Sequence, residues 1–388
     1  MKTLVATGVS SGLGLRTLQL SIHSHLSRSS PPPLQILAGT RSSSLSPAQL
    51  ELTHSTDGTA VDLAWLSLNL ESLDSVRNFA REVEKRTKNV DCLWLNAAVW
   101  TANGEARTVE LKNGEQWAEE AVVNHFAQHY LTLLLTPLLQ ASARRAKEEG
   151  GTPPRVVHTT SALHSSIASV DDPLPLLRLF SSQSSSPSPH RTSSPKLRYA
   201  ASKFCTLLSL TSLSNTPSFS APEAPIDIVA VSPGFVPSTG LGREAGLVAG
   251  WVMRNVVGRM PFAVTEEEGA KRLLRALPTL CPSSAPHYSE AEQDPTALDR
   301  LLSAHCTSSS SSPPPILFLS GSSTAPLAEN AQGDIGRALL NALPLLPPPA
   351  GEGGKETEEE REERERRGKK WEEVRRMWAP GKEEMDGW

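Results

Sequence analysis

The sequence predicts an α/β domain built on one doubly wound, parallel, seven-stranded sheet with helices on both faces. Three observations predict it. Short apolar runs alternate with segments of helical period from residue 1 to about 325. The runs, of which Asp91-Cys92-Leu93-Trp94-Leu95 is one, lack the polar and apolar alternation of a half-solvated sheet, as strands covered on both faces do. A glycine-rich turn, Thr7 to Gly14, then joins the first strand to the first helix.

Lys2 to Ala6 is a short buried strand. Thr7-Gly8-Val9-Ser10-Ser11-Gly12-Leu13-Gly14 leads from it into an apolar-periodic helix through Leu15, Leu18 and Ile22. Glycines there let the backbone turn sharply and approach a pyrophosphate, whose charge meets the free N–H groups and positive dipole end of the helix. The spacing has the form Thr-Gly-x-x-x-Gly-x-Gly rather than Gly-x-Gly-x-x-Gly. After Pro31-Pro32-Pro33, Leu34 to Gly39 is a second strand ending in Thr40-Arg41. At this tip an acid selects NAD and an arginine accommodates the 2′-phosphate of NADP. Arg41 occupies it, with a solvated loop arginine as the bland alternative.

Leu66 to Leu70 reads as the third strand and Leu73 to Lys85 as an amphipathic helix with Val76, Phe79, Ala80 and Val83 on one face. Asp91 to Leu95 is the fourth strand, closed by Asn96-Ala97-Ala98. Glu115 to Leu139 reads as one long helix carrying Asn124, His125 and His129. The two histidines lie four apart but lack the glutamate of a His-Glu-x-x-His motif, so they are expected to be packed or interface side chains and no metal site is assigned. Arg155 to Thr160, ending at Ser161, is the fifth strand. A helix bearing Tyr199 runs through Leu213, and Ile226 to Ser232 is the sixth strand, ended by Pro233-Gly234. Leu241 to Met260 has the spacing of a lid over an apolar substrate, or of an ordinary packed helix. Thr265 to Glu268 reads as a capping box opening a helix to Leu277, and Ile316 to Ser320 is the seventh strand.

These elements make residues 1–330 one domain, interrupted by Ser/Pro-rich insertions at about 165–196 and 303–315. Residues 331–388 form a C-terminal extension with a charged low-complexity segment at 351–370. Residues 351–388 hold 13 acidic and 10 basic side chains, so their net charge of −3 makes up most of the chain's −4. Trp371, Trp378 and Trp388 are placed to dock its end on the body. No basic excess argues for nucleic acid. The four cysteines are scattered, which fits a reducing compartment, and no apolar run reaches the length of a membrane span. A cytoplasmic protein is therefore expected.

Chemistry enters at Tyr199-Ala-Ala-Ser-Lys203. A tyrosine and a lysine four apart share one face of a helix. A phenol has an ordinary pKa of about 10, and an ammonium one turn away draws it towards 7, which makes a tunable proton donor.

Thr7-Gly8 to Gly14, Asn96-Ala97-Ala98, Asn124, Ser161, Tyr199 with Lys203, and Pro233-Gly234 occur in the order of the classical short-chain dehydrogenase/reductases, and the chain resembles that family over nearly all of its length outside the insertions and the charged tail. Ala38-Gly39-Thr40-Arg41, Val123-Asn124-His125 and the Tyr199 helix look like the branch of retinol dehydrogenases, protochlorophyllide reductases and keto-steroid reductases. The Val5-to-Gly14 opening, Thr239-Gly240-Leu241-Gly242-Arg243 and Trp378-Ala-Pro-Gly-Lys-Glu-Glu look closest to fungal members.

The resemblance implies a Rossmann fold and an NADP(H)-dependent oxidoreductase, with NAD(H) the lesser alternative. It implies that Ser161 orients a substrate carbonyl and that Tyr199 donates a proton. It further implies that Lys203 lowers the tyrosine pKa and holds the nicotinamide ribose, while Asn124 fixes a water linking Lys203 to solvent. Gly8, Ser10, Ser11, Gly12, Leu13, Gly14, Arg41, Asn69 and Asn96 would border the cofactor, with Val236 and Thr239 near its carboxamide. Pairing through the helices that bear Asn124 and Tyr199 would give a homodimer. The chain departs from the family pattern in three places: Asn69 stands where aspartate is common, Ala98 replaces a glycine, and the segment between Ser161 and Tyr199 is long.

The leading expectation is reduction of a ketone or aldehyde to an alcohol, or the reverse, with the substrate unassigned and an apolar steroid, retinoid or polyketide-like molecule as one candidate class. A non-catalytic NADP-binding sensor or scaffold is the rival reading, against which the complete set of Asn124, Ser161, Tyr199 and Lys203 argues. An epimerase or dehydratase on a nucleotide sugar would need a larger C-terminal substrate domain than the chain offers.

Overall fold

The computed structural model describes residues 1–101, 106–167, 177–180, 194–214, 216–221, 224–237, 263–277, 317–320 and 379–388. Its main sheet contains β1 (Lys2–Thr7), β2 (Leu34–Thr40), β3 (Val61–Ser67), β4 (Cys92–Leu95), β7 (Arg155–Thr159), β9 (Asp227–Ser232) and β10 (Leu317–Ser320). The order is β10-β9-β7-β4-β1-β2-β3 and every pair is parallel. The chain winds outward from β1 through β2 to β3, then returns to build the other half from β4. The strand order therefore reverses between β1 and β4, and ligands of such sheets bind outside the carboxyl ends of the strands at that point.

Successive strand residues feed two cores. Leu4, Ala6, Ile36, Trp94, Val157 and Val229 pack on one face, against α1 (Gly12–Leu26), α2 (Pro47–Thr56) and α8 (Glu266–Arg275). Val5, Leu37, Leu93, Leu95, Val156 and Ile228 pack on the other, against α3 (Leu73–Arg86), α5 (Ala127–Glu149), α6 (Pro195–Ser214) and the short α7 (Pro217–Ser220). Burial on both faces explains the unbroken apolar runs, and each aliphatic side chain so buried contributes about 1.5–3 kcal/mol.

Several elements differ from expectation. The third strand lies at Val61–Ser67, not 66–70. Leu68 and Leu70 are buried beyond its end and carry the apolar pattern into the loop, which leaves Asn69 outside the strand. The expected helix from Glu115 begins instead as β6 (Gln116–Ala118), paired with β5 (Thr108–Glu110) and β8 (Arg178–Phe180) in a small antiparallel sheet. Asn113-Gly114 makes the hairpin turn, with Gly114 at φ +77°. Only then come α4 (Glu119–Ala121), a π-helical turn (Val122–Phe126) and α5. Helix α2 was not foreseen, although Ser46 and Gln49 form a complete capping box at its start. The capping box foreseen at Thr265 is half made. Thr265 accepts from the Glu268 N–H at 3.1 Å, but the Glu268 carboxylate accepts from Arg272 Nε instead. The seventh strand and the sixth stand close to expectation. The lid segment 241–260 and the insertion 303–315 lie outside the described residues.

Residues 379–388, which include α9 (Lys382–Asp386), return to the body. Met385 and Ala379 are buried in the core that α3 and α5 cover. The Trp388 ring lies 6.4 Å from that of Trp117 and 5.1 Å from that of Phe126. Arg77 donates to the carbonyls of Met385 and Asp386 and to the Tyr130 hydroxyl, which in turn donates to the Asp386 carboxylate. The expected docking of Trp388 is thus a feature of the fold; Trp371 and Trp378 lie outside the described residues.

Candidate active site

The site forms where β1 and β4 part. Gly8 has φ +66° and Gly12 +54°, the left-handed region that glycine enters without strain. A Cβ on Gly8 would stand 2.4 Å from Ala97 Cα, and one on Gly14 would stand 2.1 Å from the Gly8 carbonyl oxygen and 2.6 Å from Asn96 Nδ2. The turn is therefore pressed against the end of β4. Asn96 Nδ2 donates to the Gly8 carbonyl at 2.8 Å, and Thr7 Oγ1 accepts from the N–H groups of Asn96 and Ala97 at 3.1 and 3.2 Å. Ser11 precedes α1 without a side-chain cap, so the helix presents its first N–H groups beside a bare glycine surface. Such a cradle fits a pyrophosphate. Ser10 and Leu13 are partly buried around it and Ser11 is exposed.

Arg41 sits exposed just past β2, its guanidinium 3.7 Å from Glu71. Asn69 is turned inward on its own loop. Its Oδ1 accepts from the Glu71 N–H at 3.1 Å and its N–H donates to Ser75 Oγ at 2.9 Å. Val236 is buried against Gly269 of α8, while Thr239 lies outside the described residues.

Tyr199 and Lys203 are both buried on α6, with Lys203 Nζ 5.8 Å from the phenol ring centroid. Tyr199 is hydrogen-bonded to Ser161, which follows β7. Lys203 Nζ donates to the Thr159 carbonyl at 2.8 Å. The Thr159 hydroxyl donates to Asn96 Oδ1 at 3.0 Å, linking the lysine to the glycine turn. In the π-helical turn, Asn124 Oδ1 accepts from the Val99 N–H at 2.7 Å while its Nδ2 donates to the Val99 carbonyl and to Ser202 Oγ. The wider turn frees backbone carbonyls. Those of Val123 and Asn124 accept from Gln128 Nε2, and that of Asn124 also accepts from Thr206 Oγ1.

The electrostatics reverse one expectation. Burial pushes the Tyr199 phenol above its ordinary value, with the Ser161 hydrogen bond opposing, instead of the ammonium pulling it towards 7. Lys203 is the group whose pKa moves, brought from 10.5 down to about 7 by burial. Tyr199 is thus a neutral phenol at physiological pH, the form in which it has a proton to give.

Lys203 binds its proton less readily in the fold than in the unfolded chain. Its destabilising effect is full below about pH 7 and fades as pH rises towards 10.5. Lys203→Met is expected to raise the melting temperature at pH 6, by the equivalent of about 1–3 kcal/mol, while removing activity. The gap between the two proteins should narrow at pH 9. An unchanged gap would show that the lysine carries no such cost.

Sequence reasoning brought together Gly8, Gly14, Asn96, Asn124, Ser161, Tyr199 and Lys203, and the structure joins them. It missed Gln128 and Thr159, whose types are common and whose roles depend on the π turn and on β7. It also missed Trp100, whose ring centroid lies 5.8 Å from that of Tyr199. His129 is a packed histidine, held by the Pro380 carbonyl and Ser209 Oγ.

A glycine cradle thus lies at the switch point with a phenol, an amine and a hydroxyl gathered beside it. Comparison with known proteins specifies the family. A short-chain dehydrogenase/reductase of Pestalotiopsis microspora is 32% identical over 277 residues, covering 71% of this chain and 81% of its own. A short-chain dehydrogenase of Aspergillus sclerotiorum is 30% identical over 176 residues, 45% of each chain. Among solved structures, an NADPH-bound carbonyl reductase from chicken fatty liver aligns over 72% of this chain and 88% of its own, at 21% identity and a TM-score of 0.47. No family model matches. The chain belongs to the short-chain dehydrogenase/reductases.

Proposed function

We propose that the protein is an NADP-dependent carbonyl reductase that converts a ketone or aldehyde to an alcohol. The observation that carries this reading is the buried contact of Tyr199 with Ser161, with Lys203 over the phenol ring. When bound, the nicotinamide cofactor supplies hydride to the carbonyl carbon. Tyr199 donates its proton to the carbonyl oxygen, and Ser161 hydrogen-bonds that oxygen and orients it. Lys203 supplies positive charge to the phenolate so formed. Gly8, Gly12 and Gly14 provide the surface for the pyrophosphate, with Ser10, Ser11, Leu13, Asn69 and Asn96 around the cofactor and Val236 towards its carboxamide.

Arg41 is assigned to the 2′-phosphate, because its guanidinium is exposed at the tip of β2 and only loosely engaged by Glu71. Arg41→Ala should weaken NADPH binding by about 10- to 100-fold and leave NADH binding within about twofold, measured by nicotinamide fluorescence. Equal losses for both cofactors would remove the argument for NADP. Turnover of a carbonyl panel with each cofactor tests the reaction itself, and NADPH binding without turnover across that panel would favour a sensor.

We assign the enzyme to the cytoplasm on its four scattered cysteines, which fit a reducing compartment; no helix among the described residues is long and apolar enough to cross a membrane. A homodimer through the helices of Asn124 and Tyr199 would form beside residues 379–388, which already cover His129 and Tyr130. The C-terminal extension is read as part of the enzyme on the strength of that docking.

A further inference from the structure

Trp100 follows the loop that leaves β4, and its position is set from two directions. Asn124 clamps the backbone of the preceding Val99 through both its side-chain atoms. The N–H of the following Thr101 donates to Glu120 Oε1 at 3.2 Å. Glu120 is wholly buried and faces Arg198, the residue before Tyr199, at 3.7 Å. The loop and the Tyr199 helix are thereby tied to a single carboxylate.

Held in this way, the indole lies tilted against the Tyr199 ring, the planes at 39°. Tyr199 is buried, whereas Trp100 is partly exposed. Its Nε1–H is itself buried and has no hydrogen-bond partner among the described residues. Buried indole N–H groups usually find an acceptor. A flat aromatic wall with an unmet donor beside the proton donor is a recognition surface for a particular kind of substrate.

We infer that Trp100 sets substrate specificity, selecting a planar aromatic ketone or aldehyde that carries a second hydrogen-bond acceptor for the indole N–H. This rests on the reductase reading above and names its substrate class. The aromatic skeleton lies along the indole while its carbonyl meets Tyr199 and Ser161. The second oxygen satisfies Nε1.

Binding of 2-acetylnaphthalene, 6-methoxy-2-acetylnaphthalene and 2-acetyldecahydronaphthalene, measured by titration calorimetry with oxidised cofactor and without it, tests the inference. The native enzyme should prefer the naphthyl ketone to its saturated counterpart by about fivefold. Trp100→Leu should reduce that preference to within about twofold. Trp100→Phe should keep the aromatic preference and lose the additional advantage of the methoxy compound. A preference unchanged in Trp100→Leu overturns the aromatic wall, and a methoxy advantage surviving in Trp100→Phe overturns the donor. Melting temperatures check that both variants fold. Turnover of the same ketones separates the two claims: Trp100-dependent binding without turnover leaves the aromatic site standing and removes the reductase. Turnover with binding indifferent to Trp100 does the reverse.

Discussion

Tyr199→Phe is expected to lower kcat/KM for carbonyl reduction by about a thousandfold or more, within the range that a positioned general acid supplies and equivalent to roughly 4 kcal/mol of barrier. The substitution removes one oxygen from a buried ring and leaves Lys203, Ser161 and the Trp100 contact in place. NADPH affinity should therefore stay within about twofold. The raised pKa keeps the phenol protonated through neutral pH, the form from which it can give a proton. Substantial turnover retained by the variant would mean that the proton comes from elsewhere, and the assignment of Tyr199 would fall.

Gly14→Ala is expected to be the most damaging change in the cofactor turn. The added methyl would stand 2.1 Å from the Gly8 carbonyl oxygen. Retreat of Gly8 is blocked, because that residue already lies close against the Ala97 backbone. Either the turn shifts away from α1 or Asn96 loses its bond to the Gly8 carbonyl. Destabilisation of about 2–4 kcal/mol should follow, with nicotinamide cofactor binding weakened by at least about a hundredfold. Gly58→Ala is the control. Its φ of +70° makes the change cost about 1 kcal/mol, but nothing lies within 4 Å of the new methyl and binding should be untouched. Comparable binding losses in the two variants would show that lost stability, and not close approach in the cofactor turn, weakens binding.

The motifs that were legible in the sequence are local. A glycine turn between a strand and a helix, an Asn-Ala pair after a strand, and Tyr and Lys one helical turn apart each announce their own backbone setting. The main sheet was legible for the same reason, since strands covered on both faces write themselves as apolar runs. What escaped depends on partners far away in the chain. The strand Arg178–Phe180 exists through pairing with Gln116–Trp117, some sixty residues earlier. Asn113-Gly114 was a readable hairpin signal, but the helical pattern downstream overran it. The capping box at Ser46 was likewise readable, set within a run of serines that looked like loop. The pKa reversal at Tyr199 and Lys203 could not be read at all, because burial decides it and spacing does not disclose burial.

The return of residues 379–388 to α5 also bears on how the protein is made. Tyr130 and Asp386 are separated by 256 positions. At ordinary rates of translation their meeting lies roughly 10–50 s apart in synthesis. Throughout that interval the nascent chain carries an open apolar slot beside Trp117 and Phe126, exposed to chaperones and proteases, and the hydrophobic interior of the enzyme is sealed late.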